Sequence, residues 1–296
     1  VFRKLADTYV YGNVHIALAA VSLTLFTRDI LQLPMRTPFV LFVFCGTLFF
    51  YTVQRLLGML TEKNIHAVFR RHYWNSEHRR LLFVIALISG AATAWMYFDL
   101  LLISQVLAVI PGLLSLTYAL RIIPTGKGWI RPREIPGVKV FIVALVWGIT
   151  GALIPAAAGG KTGLAWSSGP VLLWFAGVTA MIFALTVPFD IRDLNYDGKR
   201  LRTFPALLGI RGAIALSVFV LALFPICAIL IRQYYGIVTP TGIVTIIAWS
   251  ILSAIVIVGS TPKRHEFYYS FLIDGLIVLL WPLLLLVNCV QGFLES

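Results

Sequence analysis

Long apolar runs alternate with short charged breaks along this chain, and the placement of the breaks predicts its architecture. Between charged or Gly/Pro-rich interruptions, nine runs reach membrane-spanning length, at roughly 12–33, 37–60, 80–98, 100–120, 136–158, 170–189, 206–231, 240–260 and 268–290. A helix needs about 20 mostly apolar residues to cross the hydrocarbon core of a bilayer. The first run contains His15 and ends near Arg28 and Asp29; the third and fourth are divided only by "YFDL", which predicts a tight helical hairpin. The alternation of a membrane β-barrel is absent, as are a soluble domain, a low-complexity tract and an internal repeat. Residues 1–296 therefore read as a single all-α, polytopic transmembrane domain.

Composition agrees with that pattern. The chain is 59% hydrophobic and 12% charged, with a mean hydropathy of +0.91, whereas globular chains carry about a quarter charged residues. A soluble fold would leave more apolar surface than it could cover. Cys45, Cys227 and Cys289 lie in apolar runs without C-x-x-C spacing or nearby histidines, so they indicate neither a disulfide framework nor a zinc site. The N-terminal segment lacks the basic region, apolar core and small-residue cleavage site of a signal peptide, and begins on Val1 rather than Met, as a trimmed start would.

Charge then sets the orientation. Of 24 Lys and Arg residues, nineteen fall at the N-terminus or in the breaks after runs 2, 4, 6 and 8. The opposite face receives only Arg28, Arg36, Lys161 and Arg232, and Arg55 sits within a run. This bias predicts a cytoplasmic N-terminus and an exterior C-terminus. The net charge of +12 fits attraction to anionic membrane lipids, and no recognisable nucleic-acid-binding module accompanies it.

The stretch "DIRDLNYDGKRLRTFPALLG", residues 190–209, concentrates three of the twelve acidic residues. Asp190, Asp193 and Asp197 stand at offsets that fall within roughly a 60° arc of one helical face. Carboxylates this close repel one another unless a cation sits among them, and Mg²⁺ favours such oxygen ligands. The other reading is a solvated loop in which Asp193 and Asp197 pair with Arg192, Lys199, Arg200 and Arg202. A cationic run, "GKRLR", follows at once, and then "TFPALLG", where Thr203 is a candidate N-cap and Pro205 an early helical residue. Carboxylates for a metal beside basic groups for anionic oxygens are the parts of a diphosphate pocket.

This stretch resembles the second aspartate-rich motif of the UbiA superfamily of intramembrane prenyltransferases, (N/D)-x-x-D-x-x-x-D followed by a basic turn and a Leu-Gly ending. Asp190, Asp193, Asp197 and Gly209 fall on its positions. "SLTYALRIIP", with Tyr118 and Arg121, is similar to the family's Tyr-plus-basic feature at the end of span 4. The resemblance implies nine transmembrane helices, a polar site on the cytoplasmic side, and transfer of a polyprenyl group from an isoprenyl diphosphate to an acceptor. It further implies Mg²⁺ held by Asp190, Asp193 and Asp197 as the catalytic carboxylates. Arg55, Gln54, Tyr118, Arg121, Lys199, Arg200 and Arg202 are then the candidate substrate-binding residues.

The first aspartate-rich motif of that family is missing. No Asp or Glu occurs between Asp29 and Glu62, and Thr52, Gln54 and Arg55 stand where it would lie. An intramembrane arginine usually has a partner or a function. Arg55 reads either as a direct phosphate contact replacing one metal, or as a neutralising partner of Asp190 or Asp193 in a degenerate, metal-free site. The alternative to an enzyme is thus a lipid-binding or assembly subunit held to a protein partner. A transporter is disfavoured, since paired broken helices are not evident. Asp274, inside the last run, reads first as hydrogen-bonded to neighbouring Tyr or Ser groups. His66, His72 and His78 are spaced unlike metal ligands on one helix face, and "AAAGGKTG" lacks the full phosphate-loop spacing.

Overall fold

The structure is a computed structural model and describes residues 2–61, 70–126, 128–135, 137–160, 164–194 and 203–294. Helices α1 (Phe2–Tyr11) and α2 (Val14–Ile30) are followed by α3 (Thr37–Thr61), a short α4 (Arg70–Glu77), α5 (Arg79–Phe98) and α6 (Leu102–Ala119). A hairpin of β1 (Ile123–Thr125) and β2 (Gly128–Ile130) leads into α7 (Val138–Gly148), which runs through a π turn, Ile149–Leu153, into α8 (Ile154–Ala158). The remainder is α9 (Gly169–Asp193), α10 (Phe204–Leu221), α11 (Leu223–Tyr235), α12 (Pro240–Val258), a π segment Tyr268–Ile273, and α13 (Asp274–Leu294).

Among the described residues, eight helices are long and apolar enough to cross a membrane, or nine when the bent pair α1–α2 counts as one span. Eight of the nine runs read from the sequence overlap the eight helices, and the first, 12–33, covers α2 of the bent pair. The pair is bent by 56° because Asn13 adopts a left-handed φ of 67°, a conformation Asn tolerates better than most residues. Its amide Nδ2 donates to Thr52 Oγ1 at 3.0 Å, both groups buried, so the bend is tied to α3.

The spans close into a ring. In order of contact, α2 packs on α3, α3 on α6, α6 on α7, α7 on α9, α9 on α10 and α11, α11 on α12, α12 on α13, and α13 returns to α2, while α5 lies outside against α3. α9 is buried around most of its circumference, from Val171 and Trp174 to Ile191. Buried indoles also find partners, as lipid or protein interior requires. Trp174 Nε1 donates to Thr27 Oγ1 at 2.9 Å and Trp249 Nε1 to the Leu276 carbonyl at 2.6 Å. Apolar side chains such as Leu87, Ile88, Trp95 and Phe98 on α5 face outward, where a bilayer would solvate them.

Two details differ from the sequence pattern. The sixth run was expected to end at 189, with the aspartates in the loop beyond, yet α9 continues to Asp193. Hydropathy falls there because charges enter the helix, but those charges are neutralised by ion pairs, so the helix has no reason to stop. The breaks after runs 2 and 4, expected as loops, hold α4 and the β1–β2 hairpin.

Candidate functional site

The charged ends of several helices enclose a cavity of about 490 Å³, within the roughly 300–1,000 Å³ of small-molecule sites. Its wall is drawn from the α1–α2 bend, the ends of α3, α6 and α9, the starts of α7 and α10, α4, and the π segment leading into α13. All lie at the end of the ring where the basic breaks collect.

Among the described residues, six cations line it: Arg55, Arg71, Arg131, Arg133, Lys139 and Arg192. Four carboxylates, Glu134, Asp190, Asp193 and Asp274, share the wall and leave two positive charges in excess. Lys139, in the first turn of α7, reaches across to α9, its Nζ 2.8 Å from Asp190 Oδ1 and 3.5 Å from Asp193 Oδ2. Asp193 also receives a two-pronged hydrogen bond from Arg192, at 2.7 Å from Nε and 3.2 Å from Nη2. The Arg192 guanidinium lies 5.2 Å from the Phe189 ring centroid and 5.7 Å from that of Tyr269, cation–π contacts that fix it further.

Arg55 enters from the end of α3 and donates from Nη1 to the Tyr11 carbonyl at 2.7 Å. Asp274 lies at the step from π to α geometry that opens α13; such π turns recur at functional sites. It sits within electrostatic reach of Arg192, Arg55 and Arg71. Arg71 lies on α4, its Nε 3.8 Å from Glu266 Oε1. Burial first, and the Arg192 charge second, pull the Arg71 guanidinium below the ordinary arginine range, against Glu266 and Asp193. His15 is held on both sides, Nε2 at 3.0 Å from the Phe271 carbonyl and Nδ1 at 3.0 Å from the Tyr9 hydroxyl. A carbonyl only accepts, so Nε2 carries the proton and the Tyr9 hydroxyl donates to Nδ1 in the neutral imidazole.

Of the residues singled out by sequence, Asp190, Asp193, Arg55 and Tyr118 meet at this cavity. Gln54 lies outside the wall, its Nε2 donating to the Ser115 carbonyl at 2.8 Å and tying α3 to α6. Arg121 is exposed beyond the end of α6, also outside the wall. Asp197, Lys199, Arg200 and Arg202 lie outside the described residues. Thr203 takes the N-cap position of α10 and Pro205 follows in its first turn, as expected. The Arg192–Asp193 pair was among the pairings of the loop reading. Lys139 was not assigned to a site, although a lysine in the first turn of the apolar run "VKVFIVALVWG" is a signal of a partner at the membrane edge.

An Mg²⁺ ion fits this donor set poorly. Asp190 and Asp193 are the two carboxylates at the end of α9, and each already faces a cation of the protein. No group of three or more His, Cys, Asp or Glu side chains suited to a metal occurs among the described residues.

Behind the polar cavity lies a second, apolar pocket of about 90 Å³ between α2, α3, α5, α6 and the α7–α8 segment. Tyr51 and Trp147 belong to both walls. A polar chamber leading to an apolar one is the layout for an amphiphile with an anionic head.

These features define a class, the polytopic helical membrane proteins with a polar chamber at one end of the bundle. Within it, the fold is that of the UbiA homologues. The chain superposes on an apo UbiA homologue from Aeropyrum pernix K1 with a TM-score of 0.62 and 16% identity, over 94% of this chain and 98% of that one. A UbiA homologue from Archaeoglobus fulgidus bound to GPP and Mg²⁺ gives 0.62 and 11%, over 95% and 99%. A digeranylgeranylglyceryl phosphate synthase gives 0.59 and 14%, over 96% and 97%. No family model matches the sequence, and no curated protein matches it at a significant level.

Proposed function

We propose that this chain is a UbiA-type intramembrane prenyltransferase that binds an isoprenyl diphosphate and transfers its polyprenyl group to an acceptor at the cytoplasmic face. The observation that carries the reading is the excess of cations in the polar cavity together with the apolar pocket behind it. The diphosphate would lie against Arg55, Arg71, Lys139 and Arg192, with the basic run Lys199, Arg200 and Arg202 as further candidate contacts. The tail would extend past Tyr51 and Trp147, each buried methylene contributing about 0.8 kcal/mol.

In transfer, the allylic C1–O bond breaks and the diphosphate leaves with the bonding pair. The acceptor's nucleophile then bonds to C1 and loses its proton. Cations fixed in the cavity wall would stabilise charge as it develops on the leaving oxygens, and the aromatic rings of Tyr51, Tyr118 and Phe189 line the same cavity, where they could face the allylic cation. Asp190 and Asp193 hold Lys139 and Arg192 in position.

One observation favours a second reading. With both carboxylates engaged in ion pairs, the same cavity suits a lipid-binding or assembly subunit that holds a polyprenyl lipid without turnover. The two readings part on diphosphate release. Purified protein incubated with labelled geranylgeranyl diphosphate and a panel of phenolic and glycerol-phosphate acceptors is expected to bind the diphosphate at least about tenfold more tightly than geranylgeraniol and to release inorganic diphosphate with one acceptor class. Binding without release supports the subunit; equal affinity for the alcohol overturns both readings.

A further inference from the structure

Lys139 occupies the seat that a divalent metal would need. Its ammonium lies at hydrogen-bond distance, 2.8 Å, from Asp190 Oδ1 and within ion-pair distance, 3.5 Å, of Asp193 Oδ2. The two carboxylates stand one turn apart on α9, and the lysine comes from a different helix, α7. Asp190 is almost fully buried, so its charge requires compensation at that point. The other half of a two-cluster metal site is lacking as well, because the end of α3 presents Arg55 to the cavity and no Asp or Glu lies between Asp29 and Glu62.

We infer that Lys139 is a tethered replacement for the divalent cation, so that this site binds a diphosphate-headed isoprenoid without a metal. The inference rests on the proposed isoprenoid-diphosphate reading and adds how the head group is held. Lys139 bridges the carboxylates on one side and presents its remaining N–H donors to the cavity on the other. Arg55, Arg71 and Arg192 add positive charge from three other elements. A lysine cannot polarise a phosphoryl oxygen as strongly as Mg²⁺, but it binds with no metal to recruit and no shell of water to strip. The arrangement also has an internal logic. Among the described residues, a divalent ion added beside Lys139 would bring three positive charges onto the two carboxylates Asp190 and Asp193, with the ammonium fixed among the ligands the ion needs.

The test uses the full chain in detergent and two readouts. In the first, the affinity of geranylgeranyl diphosphate is measured in EDTA and in excess Mg²⁺. Wild type is expected to bind equally in both, within about twofold. Binding that requires Mg²⁺ overturns the inference and leaves the isoprenoid reading standing; absence of binding in both conditions overturns the two together. In the second, Mn²⁺ is titrated without any isoprenoid and followed by electron paramagnetic resonance. Wild type is expected to bind no Mn²⁺, whereas Lys139→Ala frees Asp190 and Asp193 and is expected to gain a Mn²⁺ site. That variant should also lose at least about tenfold in diphosphate affinity in EDTA, one charged contact's worth, and recover part of it with Mg²⁺. Lys139→Arg keeps a cation and should stay metal-independent, which separates loss of charge from loss of fold. Mn²⁺ binding by wild type at this site overturns the inference whatever the variants do.

Discussion

Trp147 donates its indole N–H to the hydroxyl of Tyr51 at 3.0 Å, and this bond stands where the polar cavity meets the apolar pocket. The two residues come from α7 and α3, the helices on either side of α6, so the bond also ties these two parts of the wall together. Trp147→Ala removes the indole shared by the two walls and widens the passage between the two spaces. An added isoprene unit then finds apolar surface to bury, and at about 0.8 kcal/mol per methylene even partial burial is worth an order of magnitude in affinity. We expect Trp147→Ala to shift preference from geranyl toward geranylgeranyl diphosphate by about tenfold in a competition assay. Tyr51→Phe leaves the rings in place and breaks only the hydrogen bond. It should lower stability by about 1 kcal/mol with no change in preferred chain length.

Arg55 contributes to structure and to charge at once. Its bond to the Tyr11 carbonyl anchors the end of α1 to α3, and its guanidinium faces the cavity with Asp274 and Glu266 in electrostatic range. Arg55→Met keeps the apolar stem but leaves the Tyr11 carbonyl without this donor, at a cost of roughly 1–3 kcal/mol. Arg55→Lys retains charge without the planar fork. Both variants are expected to weaken geranylgeranyl diphosphate binding, Met by at least about tenfold and Lys by less. Equal affinity in Arg55→Met and wild type would show that the guanidinium serves only the α1–α3 anchor.

The span count and the sorting of charge were legible because hydropathy reports them directly, with one residue type after another agreeing over 20-residue windows. The end of α9 was not, because hydropathy counts Asp190, Arg192 and Asp193 as solvent-seeking, and only the fold reveals that Lys139 and Arg192 neutralise them inside. Lys139 and Asp190 lie 51 positions apart, a separation that no local pattern reaches. The left-handed Asn13 that bends α1 from α2, and the π turns that aim Asp274, are backbone events set by packing rather than by composition. Motif and site therefore part company: "DIRDLNYD" reads as a metal motif, while its first two carboxylates serve a lysine.

Gly148 lets α7 pack close against α9. A Cβ there would lie 2.1 Å from Thr179 Oγ1 and 3.0 Å from the Phe175 ring, and small residues at such contacts are what let membrane helices pack closely. Helix propensity alone favours Gly148→Ala by about 1 kcal/mol. Overpacking against a β-branched neighbour costs about 1–3 kcal/mol and decides the sign. Gly148→Ala should therefore lower the thermal midpoint in detergent, and Gly148→Val should lower it further. Adding Thr179→Ala removes the clashing oxygen and leaves the propensity gain, so the double variant should recover at least half the loss. Additive losses would place the destabilisation elsewhere.

The charge bias predicts the cavity's orientation in the membrane, and single cysteines test it. The connections that flank the cavity carry α4 and the β1–β2 hairpin, and both belong to the basic side of the chain. If Lys and Arg are retained on the cytoplasmic side, the cavity mouth is expected to open there, beside the anionic leaflet. With Cys45, Cys227 and Cys289 replaced by alanine, exposed positions Ser76 and Gly126 report the cavity end and exposed Ser167 the opposite end. In intact cells a membrane-impermeant maleimide is expected to label Ser167→Cys and to reach Ser76→Cys and Gly126→Cys only after permeabilisation. The reverse pattern would open the cavity to the exterior, and an isoprenyl donor drawn from the cytoplasm would then have no route to Lys139.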